Sequence, residues 1–247
     1  VVGFSTYSAP RKTIFEEGHT PQYAKNINPY LVEGSDTVVR NRSTPICNIP
    51  KMIWGNKPTD GGNLLFSNKE EVNALLSKDP KAAKWIKPFI SGDDFLQGKF
   101  RYCLWLKDIT PSELNELKEV KRRVELVRQM RLESKAEATR KKAATPYVFA
   151  QIAQPSNEYV AIPEVSSERR QYIPIGFVSK DVIASNTIQL VPNATIFDFG
   201  ILTSAMHNTW MRYTCGRMKS DYRYSNTIVY NKHKNQYYIK QVNLSPK

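Results

Sequence analysis

The chain has 247 residues, of which 40% are hydrophobic and 11% aromatic, a composition that supports a folded core and excludes a wholly disordered chain. Lysine and arginine outnumber aspartate and glutamate by 36 to 23, so the net charge is +13 and a polyanionic or acidic partner is indicated. No apolar run approaches the length of a membrane span and no signal peptide opens the sequence, so neither a membrane protein nor a secreted protein is predicted.

The first third of the chain predicts a long connector followed by a helix and a strand. The sequence opens at Val1, in what reads as a strand already under way, so we expect a segment of a longer protein. Residues 21–63 are rich in Pro, Asn, Gly and Ser, which predicts an ordered connector with short strands. Ser67 and Glu70 have the spacing of a capping box, and alternating side chains over residues 98–106 predict a strand.

The clearest predicted helix covers residues 110–142. Thr110 can cap it, Pro111 suits its first turn and Glu113 completes a capping box. Its apolar face is predicted from Leu117, Val120, Val124 and Val127, and its polar face carries Arg122, Arg123, Arg128 and Lys135. Two interpretations of the basic face stay open. It adds to an electrostatic surface for a polyanion, or it is a solvated face supported by Glu–Lys pairs.

After Pro146 the pattern changes to short predicted strands. They are expected at residues 147–152, 158–163, 171–177 and 181–191. A second helix follows, predicted from Phe199, Leu202, Met206 and Trp210 on one face, with Gly216 ending it. The predicted fold class is α+β, with mixed sheets of short strands flanked by two principal helices.

Patterns that carry catalysis or metal binding are weak. The three cysteines lie far apart and predict neither a disulfide framework nor a zinc site, which fits a reducing cytoplasm. The histidines are scattered, and His207 is interpreted as a structural hydrogen-bonding residue. Residues 28–30 are interpreted as a turn, and Ser91 with Gly92 as a helix cap. We therefore predict no catalytic residue, no metal ligand and no cofactor within this chain.

The strongest candidate for a binding surface is residues 207–225, "HNTWMRYTCGRMKSDYRYS", which hold four cations, four aromatic residues and one acid. Lys219, Asp221 and Arg223 alternate, and alternate side chains of an extended segment point the same way. Lysine or arginine suits guanine acceptors and aspartate suits the cytosine amine, whereas a row of cations alone would serve only phosphates. An exposed strand with a local Asp–Arg pair is the alternative, and the spacing does not separate the two.

Long blocks of the sequence resemble a known family in their order along the chain. They are "IPKMIWGNKPTDGGNLLFS", "KWIKPFISGDDFLQGKFRYCLWL", "VAIPEVSSERRQYIPIGF" and "TIFDFGILTSAMHNTWMRYTCGRMKSDYRYSNTIVYN". They resemble the target recognition region of the MmeI-like S-adenosylmethionine-dependent adenine-N6 DNA methyltransferases of bacterial restriction–modification systems. The resemblance covers residues 1–231, with a candidate inner boundary near residue 145. Residues 232–247 depart from the family pattern.

The resemblance implies a cytoplasmic domain that clamps duplex DNA opposite a methyltransferase core and reads base edges while that core extrudes the target adenine. The cofactor S-adenosylmethionine and the catalytic element would belong to the core of the same parent polypeptide, with or without a nuclease. The expected base contacts are Lys219, Asp221 and Arg223. The expected backbone contacts are Arg40, Arg42, Lys57, Arg212 and Arg217.

Two alternatives accompany these expectations. Lys57, Asp60 and Gly62 are equally interpreted as pure turn structure. The second functional hypothesis is a general nucleic-acid module, for single strands or RNA, whose Trp and Tyr side chains stack on unpaired bases. Preference for one duplex sequence over scrambled duplex and single strand separates this module from a target reader.

Overall fold

The computed structural model describes residues 7, 11–15, 18–29, 31–36 and 38–232, so most of the predicted divergent tail, residues 233–247, lies outside it. The strands are β1 (Lys12–Ile14), β2 (Gln22–Ala24), β3 (Ile53–Trp54), β4 (Leu65–Phe66), β5 (Ile86–Ile90), β6 (Arg101–Leu104), β7 (Tyr159–Pro163), β8 (Val165–Ser166), β9 (Gly176–Val178), β10 (Ile183–Ala184), β11 (Ile188–Pro192), β12 (Gly216–Met218) and β13 (Asp221–Arg223). The α-helices are α1 (Lys69–Leu76), α2 (Gly92–Gln97), α3 (Pro111–Glu116), α4 (Lys118–Leu132), α5 (Glu137–Lys141), α6 (Ile196–Leu202) and α7 (Ala205–Thr214). Short 3-10 helices occupy Pro80–Trp85 and Lys142–Ala144, and a π-helix occupies Asn226–Tyr230.

Within the described residues the strands form four small sheets, ordered β1–β2, β10–β5–β6–β4, β3–β11–β7–β9 and β12–β13–β8. The pairing of β10 with β5 is parallel, and the other pairs are antiparallel. In the longest pairing, β11 runs along β7 from Ile188 opposite Pro163 to Pro192 opposite Tyr159. Both strands are buried along nearly their whole length, so this sheet lies inside the molecule. This mixture of helices and short-stranded sheets confirms the predicted α+β class.

One core lies between α4 and the sheet that contains β4, β5 and β6. Its buried side chains include the predicted apolar face of α4 and large residues of the strands, namely Leu117, Val120, Val124, Val127, Phe66, Phe89 and Leu104. Thr110 and Glu113 form the predicted capping box of α3. The sequence therefore predicted correctly which face of this region is buried and where it begins.

The predicted helix over residues 110–142 is divided into three helices. Leu117 has non-helical backbone angles (φ −101°, ψ 86°) and separates α3 from α4. The buried carboxylate of Asp79 accepts a hydrogen bond from the amide of Val120 at 2.9 Å. The first turn of α4 is thus satisfied by a residue from a distant segment, which stabilises a break that the helical periodicity does not show.

A second core packs α7 and the β12–β13 hairpin against the β7–β11 sheet. Its buried members include Val160, Ile162, Val191, Met211, Tyr222 and Tyr224. His207 of α7 is fully buried and its Nε2 lies 2.9 Å from the hydroxyl of Tyr224, which confirms its predicted structural role. Burial raises the pKa of Tyr224 well above its ordinary value, so its hydroxyl stays neutral in this core.

The second predicted helix is also divided. Thr203 ends α6, and the side chain of Ser204 begins α7 by accepting a hydrogen bond from the amide of His207 at 3.1 Å. Met206, predicted for the buried face, is 54% exposed. Gly216 does not end the helix, because α7 stops at Thr214 and Gly216 is the first residue of β12.

Three further local predictions are corrected. Residues 147–152 form no strand, and only an isolated bridge joins Gln151 to Lys57. The strand predicted over residues 171–177 is limited to β9. The helix expected to begin at Ser67 is capped one residue later, where the side chain of Asn68 accepts from the amide of Glu71 at 2.9 Å.

Candidate nucleic-acid interface

The predicted base-reading residues lie on the hairpin formed by β12 and β13. Met218 pairs with Asp221, so Lys219 and Ser220 form the two-residue turn between the strands. Lys219 has a positive φ of 58°, a conformation that glycine adopts without steric cost and that other residues rarely adopt. The prediction that Lys219, Asp221 and Arg223 share one extended segment is therefore wrong for Lys219, which projects from the turn.

Asp221 and Arg223 do share one face of β13, as alternate residues of a strand must. The carboxylate of Asp221 accepts a hydrogen bond from the amide of Glu168 at 3.3 Å. Arg223 Nε donates to Glu164 Oε1 at 2.7 Å, and the arginine side chain is 53% exposed while that of Glu164 is 15% exposed. This contact uses Nε and leaves the two Nη groups of Arg223 without a hydrogen bond to the described residues.

Arg212 and Arg217 both lie near the ring of Tyr222, the central residue of β13. Their guanidinium carbons are 5.8 Å and 4.1 Å from the centre of the Tyr222 ring. Arg217 Nη1 donates to the carbonyl oxygen of Ser220 at 2.9 Å, which braces the turn. Arg212 Nη2 donates to the carbonyl oxygens of Arg170 at 3.1 Å and Gln171 at 2.6 Å. Both predicted backbone contacts therefore also have structural partners.

The other predicted backbone contacts lie in the connector. Arg42 is exposed and fixed to the π-helix that follows the hairpin, since its amide donates to Thr227 O at 3.0 Å. Arg40 is exposed, and its side chain forms no hydrogen bond or ion pair with the described part of the chain. Lys57 is exposed but belongs to a different place in the fold, because its backbone pairs with that of Gln151. The structure thus brings Arg212, Arg217 and the hairpin together and does not join Lys57 to them.

The turn interpretation is supported for residues 60–62. The carboxylate of Asp60 accepts a hydrogen bond from the amide of Leu64 at 2.7 Å. Gly61 and Gly62 both have positive φ, which fits a tight turn. Ser91 forms a capping box with Asp94 at the start of α2, as predicted.

Two exposed arginines of the basic face of α4 are paired with acids of the same helix. Arg122 pairs with Glu119 at 2.7 Å and Arg128 pairs with Glu125 at 3.1 Å, each across one helical turn. Arg123 is not on the solvated face as predicted, because its guanidinium carbon lies 4.8 Å from the centre of the Phe66 ring. For Arg122 and Arg128, these contacts favour a solvated, self-paired face over a polyanion surface.

Sequence reasoning passed over a turn beside the hairpin, residues 167–171, although it contains the adjacent cations Arg169 and Arg170. β8 immediately precedes this turn and pairs with β13, with Ser166 opposite Tyr222. Both arginines are exposed. The adjacent arginines are visible in the sequence. Their position next to the hairpin is not, because it depends on the pairing of β8 with β13.

Three further features of the described residues concern metal-binding groups, membrane-spanning helices and close glycine packing. Across them, no group of three His, Cys, Asp or Glu side chains is arranged to hold a metal ion. None of their helices combines the length and the apolar character needed to cross a membrane. At the junction of β5 and α2, a Cβ on Gly92 would lie 3.1 Å from the carbonyl oxygen of Thr187. That glycine therefore allows the start of α2 to pack closely against Thr187.

Comparisons with known proteins identify relatives of this chain. The chain matches the family described as "MmeI, target recognition domain" over residues 33–234. DNA methyltransferase A of Bacillus subtilis (strain 168) is 37% identical over 231 residues, which are 94% of this chain and 26% of that protein. A structure of the Type IIL restriction-modification enzyme MmeI in complex with DNA matches with a TM-score of 0.86 and 43% identity, covering 91% of this chain and 31% of that one.

The extent of these matches defines what the chain corresponds to. It spans about a quarter of the Bacillus relative and about a third of the MmeI chain, so it is comparable to one part of each. The family match includes α4, the β7–β11 sheet, α7 and the whole β12–β13 hairpin. By this match over most of its length, the chain belongs to the MmeI target recognition domain family.

Proposed function

We propose that this chain recognises a specific base-pair sequence in duplex DNA, as the target recognition domain of a larger adenine-N6 DNA methyltransferase or restriction–modification enzyme. The observation that carries the proposal is the 43% identity over 91% of the chain to MmeI, whose structure was solved in complex with DNA. The net charge of +13 is consistent with a polyanionic partner, although charge alone selects no sequence.

The hairpin supplies the chemistry that base reading needs. Lys219 offers ammonium donors from the turn, Arg223 offers its Nη donors from β13, and Asp221 offers carboxylate acceptors between them. Such a mixed set matches the donor and acceptor pattern that base pairs show in the major groove. A non-glycine residue with positive φ is strained, and strain of this kind concentrates at functional sites, which supports a role for the Lys219 side chain.

The phosphate contacts proposed for the same domain are Arg40, Arg42, Lys57, Arg212 and Arg217. Contacts of this type fix register and orientation without specifying sequence. Arg40 and Lys57 are exposed, and their side chains form no hydrogen bond or ion pair with the described residues, whereas Arg212 and Arg217 already brace the hairpin and its neighbouring turn. Their part in backbone binding is therefore the weaker element of this proposal.

Methyl transfer and its cofactor are assigned to the parent polypeptide outside this chain. We propose that the parent is cytoplasmic and uses S-adenosylmethionine, in keeping with its methyltransferase relative. We propose that the residues of this chain perform no step of the transfer. Residues 1–231 are proposed as the recognition domain, with an inner boundary near residue 145 and a divergent tail from residue 232.

The test is selection from random duplex DNA by this chain at moderate salt, with sequencing of the bound pool. We expect an enriched motif of a few base pairs for the wild-type chain. Lys219→Gly removes the reading side chain at a backbone position that glycine accepts without strain, so the fold is expected to persist. We expect the preference to change at one position of the motif, with a loss of about 1–3 kcal/mol on the original sequence.

The matched control is Arg128→Gln, which removes an exposed cation that is already paired with Glu125. It is expected to leave the enriched motif and the affinity unchanged. A wild-type pool that binds without enrichment would contradict sequence reading by this chain. A pool that changes equally in both variants would contradict the assignment of base reading to the hairpin.

A further inference from the structure

The turn over residues 167–171, here called the arginine turn, is fixed to the hairpin and to α7 at several points. The amide of Glu168 donates to Asp221 Oδ1 at 3.3 Å, and Glu168 Oε2 lies 3.8 Å from Arg217 Nη1. The amide of Arg170 closes the turn on the carbonyl oxygen of Ser167 at 3.1 Å. Its backbone is therefore held in one position relative to the proposed base-reading residues.

Arg212 of α7 holds the far side of the arginine turn. Its Nη2 donates to the successive carbonyl oxygens of Arg170 and Gln171, at 3.1 Å and 2.6 Å. Two residues later, the amide of Ile173 donates to Asn208 Oδ1 of the same helix at 3.0 Å. Both sides of the turn are thus anchored, one by the hairpin and the other by α7.

The side chains that this fixed turn displays are cationic and uncommitted. Arg169 and Arg170 are exposed, and neither guanidinium forms a hydrogen bond or an ion pair with any residue that the structure describes. The nearby acids have other partners, because Glu164 pairs with Arg223 and Glu168 lies by Arg217. A rigid backbone with two free guanidinium groups is a favourable arrangement for phosphate oxygens, which arginine binds in bidentate fashion.

We propose that Arg169 and Arg170 bind the phosphodiester backbone of duplex DNA beside the bases that the hairpin reads, and that Arg212 is a positioning residue that holds the arginine turn in place. This inference rests on the proposed function. It assigns phosphate contact to a doublet next to the hairpin. It also replaces the direct phosphate contact proposed above for Arg212 with a positioning role through the arginine turn.

The experiment measures the affinity of the full 247-residue chain for a duplex carrying its selected motif, between about 50 and 200 mM KCl. Log affinity falls with log salt, and the double variant Arg169→Gln/Arg170→Gln should make this slope less steep by about 1.8, or about 0.9 per lost phosphate contact. The motif selected by this variant should stay unchanged, since phosphate contacts carry no sequence information. Arg169→Lys/Arg170→Lys retains the charges and should retain the slope.

The role of Arg212 is tested by adding Arg212→Gln to the double variant. If Arg212 acts only through the arginine turn, the triple variant should show the slope of the double variant. A further decrease of about 0.9 would show a direct phosphate contact by Arg212 and overturn its assignment as a positioning residue. Thermal melting of each variant checks that the fold is retained.

Failure of this inference is distinct from failure of the proposed function. A wild-type chain that selects a motif while the double variant keeps the full salt slope would overturn the role of Arg169 and Arg170 alone. A wild-type chain that shows no preference among duplexes would overturn the proposed function, and this inference with it.

Discussion

Arg131 is among the largest fully buried side chains of the described residues, although its helix, α4, is rich in lysine and arginine. Its guanidinium donates to five backbone carbonyl oxygens, those of Pro58, Thr59, Lys142, Thr145 and Val148, at 2.8–3.0 Å. Burial lowers the pKa of Arg131 and the carboxylate of Asp60 raises it, but an arginine stays charged in either case. One side chain thus joins the connector to the segment that follows α4.

We predict that Arg131→Met lowers the free energy of unfolding by about 3–5 kcal/mol, because it leaves several buried carbonyl groups without donors. Arg128→Met is the matched control on the same helix, since Arg128 is exposed and pairs only with Glu125. Its effect is expected within about 0.5 kcal/mol. Urea denaturation followed by circular dichroism measures both values. Equal losses in the two variants would contradict the structural role of Arg131.

At the scale of the element, the start of α3 is stabilised by an ionised side chain. A hydrogen bond from Lys84 and hydrogen bonds from the amide and hydroxyl of Thr110 lower the pKa of Glu113 to about 2. A carboxyl whose pKa is lowered on folding stabilises the folded state above its unfolded pKa. That contribution is lost as the pH falls through the folded pKa, which places the loss between about pH 4.5 and pH 2.

We predict that the melting temperature of Glu113→Gln depends less on pH across this window than that of the wild-type chain. Glu70→Gln is the control, because Glu70 lies in the first turn of α1 and its exposed carboxylate has no partner among the described residues. Differential scanning calorimetry at several pH values measures the effect. Parallel curves for the wild-type chain and Glu113→Gln would rule out this contribution.

An element could be predicted from the sequence where the residues that determine it lie close together in the chain. The capping box of Thr110 and Glu113 lies within four residues, and the apolar face of α4 is set by periodicity, so both were predictable. The break at Leu117 depends on Asp79, which lies 41 residues from the amide of Val120 that it binds. No pattern within a helical window contains that contact, which explains why three helices were predicted as one.

The candidate site was likewise predictable in its residue types but not in the contacts between distant segments. The types of residue at Lys219, Asp221 and Arg223 were sufficient to suggest base reading, and the family resemblance placed them in a recognition domain. The turn at Lys219 was missed because it lacks the glycine or asparagine that usually marks a two-residue hairpin turn. The relation of Arg169 and Arg170 to the hairpin depends on the pairing of β8 with β13, across more than fifty residues of sequence.

Over the whole molecule, some exposed cations are paired with carboxylates and others are not. Several cations between α1 and α5 are paired with acids of the same region, among them Lys81 with Glu116, Arg122 with Glu119 and Arg128 with Glu125. Around the hairpin, Lys219, Arg169 and Arg170 are exposed, and their side chains have no partner in the described chain. Arg217 and Arg223 of the hairpin lie by Glu168 and Glu164, so the cations near the hairpin that are open to a polyanion are Lys219, Arg169 and Arg170.

The aromatic side chains of the same region bear on what kind of nucleic acid is bound. Trp210 Nε1 donates to the carbonyl oxygen of Val229 at 3.0 Å, and Tyr222 and Tyr224 are buried in the second core. Of the four aromatic residues in the stretch 207–225, Tyr213 is the well-exposed one, at 55%. Stacking on successive unpaired bases needs several exposed rings, so this packing favours the groove of a duplex.

We therefore predict that the chain binds the duplex carrying its selected motif at least about tenfold more tightly than either separated strand at the same salt concentration. Tyr213→Ala should leave duplex affinity unchanged, as should the control Phe100→Ala, since Phe100 is 57% exposed and lies just before β6. Competition binding with labelled duplex and unlabelled single strands measures the ratio. If single strands compete equally and Tyr213→Ala alone abolishes that competition, the binding depends on base stacking. The general nucleic-acid module would then replace the target reader, because a stacking surface recognises the faces of unpaired bases and not their edges in a groove.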